Sequence, residues 1–176
     1  VKQSEETAKL HPDSLNTIRI MTLIIDGEVK VLPWCAFRMG IGKSKVDNAS
    51  FGGIYCKIED DGTLSNFAYD ALGNRFNKHP DGGDFSNVKF DFMDKVKKLV
   101  KEAAQRFPHF RLIGWDIAIS EENEPIIIEA NLTMSGMDVI ETICGPLFGE
   151  YTEKVLEEVF LKKHKKKTSM DISQYV

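Results

Sequence analysis

Apolar and polar positions along the chain mostly alternate in short runs separated by turn residues, and two longer stretches carry helical spacing instead. Asn16 to Asp26 alternates around Ile18, Ile20 and Leu23, which predicts a strand. Asp26-Gly27 then predicts a two-residue hairpin, because a type I′ turn needs positive φ at both central positions. A second strand is expected over Glu28 to Arg38, with Pro33 marking an edge or a bulge. Residues 40 to 50 read as a loop. Gly52 to Glu59 and Leu64 to Tyr69 read as two more strands joined through Asp60 to Thr63. Residues 70 to 87 carry Gly73, Pro80, Gly82 and Gly83 and read as one long irregular loop.

Met93, Val96, Val100, Ala103 and Phe107 recur at helical spacing, predicting a helix from Asp91 to Phe107. Asp91 or Asp94 is expected to cap it and Pro108 to close it. Leu112 to Ile119 and Pro125 to Ala130 are two further strands around the polar turn Ser120 to Glu124. A last helix is expected from Pro146 to Lys163, followed by a loose tail. The order predicts an α+β fold: a largely antiparallel sheet covered by helices, in one domain without repeats.

Composition narrows the function. The 176 residues are 42% hydrophobic and 28% charged, the balance of a globular chain. A formal net charge of −4 argues against a general binder of nucleic acid or of anionic membrane, since both need a basic surface. No apolar run has the length of a membrane span. Cys35, Cys56 and Cys144 are odd in number and widely spaced, which argues against a disulfide framework or zinc site and predicts a cytoplasmic protein.

The candidate chemistry lies between Gly114 and Asn131. A hairpin centred on Glu122-Asn123 sets Asp116 opposite Glu129, with Cβ atoms about 5 Å apart. Asn131, two residues on, shares the face of Glu129. Two opposed carboxylates need neutralising. Two carboxylates and an amide oxygen are hard ligands that suit Mg²⁺ or Mn²⁺. The alternative is a purely structural ion pair with an arginine.

Extending the register of the Asp26-Gly27 turn sets Arg19 opposite Trp34. Arg38 then lies on the same face, four residues along. Arginine forks take phosphate or carboxylate oxygens in pairs. The plainer alternative makes both arginines partners for acidic residues of the same site. Gly40 to Ser44 resembles a phosphate loop only superficially, since it lacks the spacer and opens no helix, and Lys43 reads as a solvated loop residue. His11 and His79 each precede a proline and read as turn residues without ligand spacing, and the run Lys162 to Lys167 reads as a solvated helix end.

Asp116, Glu129, Asn131 and the segment Thr133 to Gly136-Met137 together resemble the C-terminal metal segment of ATP-grasp enzymes. His11-Pro-Asp-Ser-Leu-Asn-Thr-Ile-Arg-Ile, Phe37-Arg-Met-Gly, Val46-Asp-Asn, Phe51-Gly-Gly, His79-Pro-Asp and Gly114-Trp-Asp-Ile resemble, more specifically, the sugar-transfer-associated ATP-grasp group. The resemblance implies the C-terminal subdomain of that fold over residues 11–167, with 1–10 a remnant after the hinge and 168–176 a tail. Asp116 and Asn131 would each hold one magnesium, and Glu129 would bridge the two. Arg19 and Arg38 would reach phosphate oxygens, and Asn48 and Gly53 would lie near the γ-phosphate or the acceptor.

The implied activity is ATP- and Mg²⁺-dependent ligation of a small-molecule carboxylate to an amine through an acyl phosphate, with an association to cell-surface polysaccharide biosynthesis. The N-terminal half with the nucleotide clamp is missing from the resemblance. The chain alone is therefore expected to bind ATP poorly and to turn over little. The alternative is a nonenzymatic binding module that kept the fold. Exposed strand edges are expected to recruit a second copy of the chain. Ser135 stands where the family turn usually has proline.

Overall fold

The computed structural model describes residues 1–47, 52–133 and 136–161. The elements run α1 Glu5–Ala8, β1 Thr17–Ile25, β2 Glu28–Met39, β3 Ile54–Ile58, β4 Leu64–Tyr69, β5 Arg75–Phe76, α2 Met93–Ala104, β6 Leu112–Ile119, β7 Pro125–Asn131, α3 Met137–Cys144 and α4 Thr152–Leu156. A 3-10 turn at Gly149–Tyr151 leads into α4, and a π-helical turn at Glu157–Leu161 follows it. The strands form one sheet in the order β5-β4-β3-β2-β1-β6-β7, and every neighbouring pair is antiparallel. This is the α+β architecture the pattern predicts. No helix among the described residues is long and apolar enough to cross a membrane.

Alternation along the strands divides the apolar residues between two layers. Ile18, Ile20, Phe37, Met39, Cys56, Trp115 and Ile117 face α2, where Val96, Val100 and Ala104 close the larger core. Met21, Leu23, Ile25, Leu32 and Ala36 face the other way, onto Ile140 of α3 and Leu147. Full burial of side chains this size supplies roughly 1.5–3 kcal/mol each, so the two layers carry most of the fold's stability.

Two irregularities set the register. Asp26 and Gly27 both have positive φ, 53° and 78°, as the hairpin requires. The ladder keeps the turn's register from Ile25↔Glu28 to Thr22↔Val31, and β2 then takes up two more residues than β1, in the segment that contains Pro33. Arg19 therefore opposes Ala36 and not Trp34, and Arg38 opposes Thr17, two residues along instead of four. A slip of two leaves each side chain on its own face, so the arginines stay together and come closer. On the other side, the turn after β6 pairs Ile117 with Ile127, and one extra residue in β7 then brings Asp116 opposite Glu129. The expected pair thus forms through a longer turn plus a bulge, with Asn123 at a φ of 57°.

Several expectations about elements are corrected. α2 is shorter than the apolar pattern, and Phe92 is its N-cap with no side-chain hydrogen bond, so neither Asp91 nor Asp94 caps it. The loop over 70–87 contains the two-residue strand β5. The last helix begins at Thr152, and α3 precedes it where no helix was expected. The first residues are ordered by Ser4, whose hydroxyl accepts the Thr7 amide at the start of α1 and whose own amide donates to Ile119 O at 2.9 Å. Asn48, Phe51, Ser135, the basic run Lys162 to Lys167 and the tail lie outside the described residues.

Gly62, in the β3–β4 turn, has a φ of 87°, and a Cβ there would stand 2.4 Å from Phe90 O. Gly73 has a similar φ of 83° but open space around it. Gly62→Ala should therefore lower the unfolding free energy by about 2–3 kcal/mol and Gly73→Ala by about 1 kcal/mol, read by urea denaturation. Equal losses would show that the contact with Phe90 adds nothing to the cost of the turn.

Candidate functional site

Strand alternation places Arg19 between Ile18 and Ile20, Arg38 between Phe37 and Met39, and Asp116 between Trp115 and Ile117. Their apolar neighbours all belong to the α2 layer, so the three charged side chains project together on the α3 side. They occupy the end of that face which the smaller apolar layer leaves uncovered. α3 starts beside them: a Cβ on Gly136, its N-cap, would lie 2.9 Å from Arg19 Nη1. Gly136 sits at a φ of 66°, so a glycine suits both the turn and the close approach to the guanidinium.

Asp116 is the centre of the arrangement. Arg19 donates through Nε to Oδ1 at 2.5 Å and through Nη2 to Oδ2 at 3.0 Å. Arg38 donates through Nη1 to the same Oδ2 at 2.7 Å. Arg38 also lies 3.4 Å from Oδ1 of Asp47, whose Oδ2 accepts the Thr17 amide at 3.0 Å and the Thr17 hydroxyl. Asp116, Arg38 and Asp47 are each less than a tenth exposed. Arg38 Nε is buried and has no hydrogen-bond partner among the described residues.

The environment pulls the two buried carboxyls in opposite directions. Burial pushes Asp116 up, but the hydrogen bond from Arg19 and the charges of Arg38 and Arg19 outweigh it, leaving the carboxyl below its ordinary value. For Asp47, burial outweighs the charge of Arg38 and the Thr17 hydrogen bonds, and its carboxyl stays above the ordinary value. Burial works to lower the Arg38 guanidinium, but Asp47 and Asp116 together raise it.

Glu129 lies across the ladder from Asp116 and is exposed. Asn131 is half-buried and donates through Nδ2 to Gly114 O at 3.3 Å. β6 is buried, whereas β7 is the sheet edge, so the metal-type ligands span from the interior to solvent. Gly53 is buried ahead of Ile54, whose strand partner is Met39, next to Arg38. Asn48 lies outside the described residues. Lys43 is exposed in a turn, and among the described residues no helix follows Gly40 to Ser44.

The sheet therefore brings Arg19, Arg38, Asp116, Glu129 and Asn131 to one face, and Asp47 joins them. Three carboxylates against two guanidiniums leave one formal negative charge, with the hard-oxygen donors at the solvent edge. That donor set fits a divalent cation shared with phosphate oxygens. Asp47 stood in the sequence only within the Val46-Asp-Asn motif, with no role of its own, and it arrives from a loop. The burial of His11 and His79 against each other, with ring centroids 4.9 Å apart, was missed as well. The cysteines offer no nucleophile: burial pushes all three thiols up to about 12.

The open seven-stranded antiparallel sheet with its helices is consistent with an ATP-grasp subdomain. A model of the sugar-transfer associated ATP-grasp family matches residues 1–153, and the chain belongs to that family. Membership supports nucleotide binding and ATP-dependent, ligase-like chemistry. No curated protein and no solved structure is significantly similar to it.

Removing Asp116 takes away the fork of Arg19 and one hydrogen bond of the buried Arg38. Asp116→Ala should cost about 3–5 kcal/mol of stability, as expected for breaking a buried ion pair on one side. Because the folded carboxyl titrates below its unfolded value, its stabilisation is complete above about pH 3.9 and is lost as pH falls through the lower folded value. The stability gap between wild type and Asp116→Asn should thus narrow progressively below pH 4. A gap that is constant from pH 7 to pH 3 would contradict an ionised, arginine-held Asp116. Asp47 adds the opposite slope, since its raised value makes its contribution largest at low pH and lost as pH rises through the folded value.

Proposed function

We propose that this protein is an ATP- and Mg²⁺-dependent ligase that joins a small-molecule carboxylate to an amine or similar nucleophile. The observation that carries the reading is the column Asp116, Glu129, Asn131 beside Arg19 and Arg38 on one sheet face. Asp116, Glu129 and Asn131 would hold Mg²⁺ or Mn²⁺, which supplies Lewis-acid neutralisation of phosphate charge when bound.

In this reading the acidic column and the arginines divide the work. The substrate carboxylate attacks the γ-phosphorus of ATP, the bond to the ADP oxygen breaks, and an acyl phosphate forms. The amine then attacks the carbonyl carbon, phosphate leaves, and the nitrogen gives up a proton. Arg19 and Arg38 hold charge where it develops on the transferring phosphoryl oxygens. Both spend the ligand-free state on Asp116, so a cation at that carboxylate would release guanidinium donors toward phosphate. Arg38 Nε, buried without a partner among the described residues, is a further donor. Gly53 would lie near the γ-phosphate or the acceptor, and an N-terminal half would supply the rest of the nucleotide clamp. The family's sugar-transfer association supports a role in cell-surface polysaccharide synthesis in the cytoplasm.

One observation favours a second reading. Both oxygens of Asp116 already accept arginine donors, as they would in a binding module that kept the fold without the reaction.

A thermal-shift titration with Mg²⁺ and ATP, separately and together, distinguishes the readings. Ligand that binds only the folded state raises its stability by mass action, by about 2.7 kcal/mol at a hundred times Kd. The ligase reading predicts a rise of several degrees that needs both ligands and is lost in Glu129→Gln, an exposed edge position where the fold survives substitution. With a nucleotide-clamping half joined to the chain, it also predicts at least a hundredfold loss of Mg²⁺-dependent ATP turnover in that variant. Unchanged turnover in Glu129→Gln would overturn the metal assignment.

A further inference from the structure

The last helical segment holds the sheet with one side and leaves another apolar side uncovered. Tyr151 and Val155 pack on the smaller core layer. Leu156, Val159 and Phe160 do not, and they are 50, 49 and 75% exposed. Spacings of three and four residues set these three side chains close together on the helical surface. Among the described residues, no other run of five exposes as many large apolar side chains. Single exposed apolar residues are ordinary, whereas a group of them marks a surface that meets something.

The charges next to this face are partly spent. Glu158 pairs with Arg111, and Lys154 pairs with Asp26 of the β1–β2 turn. Glu153 and Glu157 have no ion pair among the described residues. The sequence then continues Lys162-Lys-His-Lys-Lys-Lys167, which places five of the chain's 23 lysines and arginines in six positions. The net charge of −4 argues against a uniformly basic surface and leaves room for a local one, because salt screens exposed charges beyond about 8 Å at physiological ionic strength.

Two kinds of polyanion attract such a run, nucleic acid and the surface of an anionic bilayer. The apolar face decides between them. A phosphate backbone offers nothing to Leu156, Val159 and Phe160. The boundary between headgroups and acyl chains accepts apolar side chains while the headgroups meet neighbouring lysines. A second copy of the chain would cover the apolar face, but it would bring like-charged lysine runs together.

We propose that residues 152–167 dock the protein on a membrane surface rich in anionic lipid, with Leu156, Val159 and Phe160 entering the interface and Lys162 to Lys167 meeting the headgroups. The attachment is peripheral, since a span takes about 20 apolar residues. Stable binding of this kind needs both signals: a small apolar face alone holds weakly, and lysines alone are released by salt. Tyr151 and Val155 pack on the same side of the sheet as Asp116, Arg19 and Arg38, so the acidic and arginine site lies on the side of the molecule that carries the membrane contact. The attachment is independent of the reaction assigned to that site.

Flotation of the whole chain with vesicles of equal parts phosphatidylglycerol and phosphatidylcholine, against vesicles of phosphatidylcholine alone, tests this. At about 0.1 M salt, partition onto the anionic vesicles should be at least a hundredfold stronger, and about 1 M salt, where the Debye length falls to about 3 Å, should remove most of it. Lys165→Gln, Lys166→Gln and Lys167→Gln together should weaken partition about a hundredfold. Phe160→Ser with Leu156→Ser, two exposed changes outside the core, should weaken it at least tenfold with every lysine in place. Undetectable partition, equal partition onto the two vesicles, or undiminished partition by either variant would overturn the assignment. With partition absent, a labelled DNA duplex bound through the lysines would give the run to nucleic acid, and a dimer dissolved by Phe160→Ser would give the apolar face to a second copy.

Discussion

Asp116 is a carboxylate held in the middle of a sheet by two arginines from two other strands, and most of the chain's polar architecture is arranged to make that tolerable. An ion pair this buried needs its hydrogen bonds complete, because desolvation otherwise exceeds the attraction. Arg19 supplies a fork and Arg38 a third bond. Arg38 in turn is anchored by Asp47, and Asp47 by both polar groups of Thr17. The bulge at Pro33 belongs to the same constraint, since it draws Arg38 two residues nearer to Arg19 without moving either to the wrong face. An ion pair so arranged is poor evidence of stability alone. It is good evidence of a site, because apolar residues would fill the same space at lower cost.

The strands were legible in the sequence because alternation with a period of two and turn residues such as Asp26-Gly27 are local signals. The pairing of Asp116 with Glu129 was also legible, though its geometry was not. A turn one residue longer than expected and one bulge residue compensate, and the result is the same partner. Bulges depend on packing against a second strand, which no local pattern encodes. α3 went unread because its eight residues offer only two turns, and its start is set by Gly136 in a left-handed conformation against Arg19. Phe92 as an N-cap contradicts cap preferences because Phe92 is buried in the α2 layer, and packing fixes the helix start there.

The arginines and acids of the site were found in the sequence because each breaks the pattern of an apolar strand. Asp47, His11 and His79 stood only within the motifs of the family resemblance and were given no role in the site, since loop residues have no periodic background to stand out from. Their partners come from segments that only the folded sheet brings together. The plainer of the two roles considered for Arg19 and Arg38, as partners for acids of the same site, is the one their bonds display in the ligand-free chain. The phosphate role is compatible with it, because a guanidinium that neutralises a carboxylate is already placed where a cation and an anion would replace it as a pair.

The loop from Gly40 to Asp47 links the buried histidine pair to the acidic and arginine cluster. One end is pinned by the histidines, which both approach its carbonyls, and the other delivers Asp47 to Arg38. Rigidity at the first cluster therefore becomes precision at the second. The central claim is that Asp116, Glu129 and Asn131 are cation ligands and not only structural charges. Its most direct test is paramagnetic broadening of backbone amide NMR signals by Mn²⁺. The account predicts loss of signal centred on residues 114–117 and 129–131, reversed by excess Mg²⁺. Sharp signals throughout both segments at millimolar Mn²⁺ would contradict it.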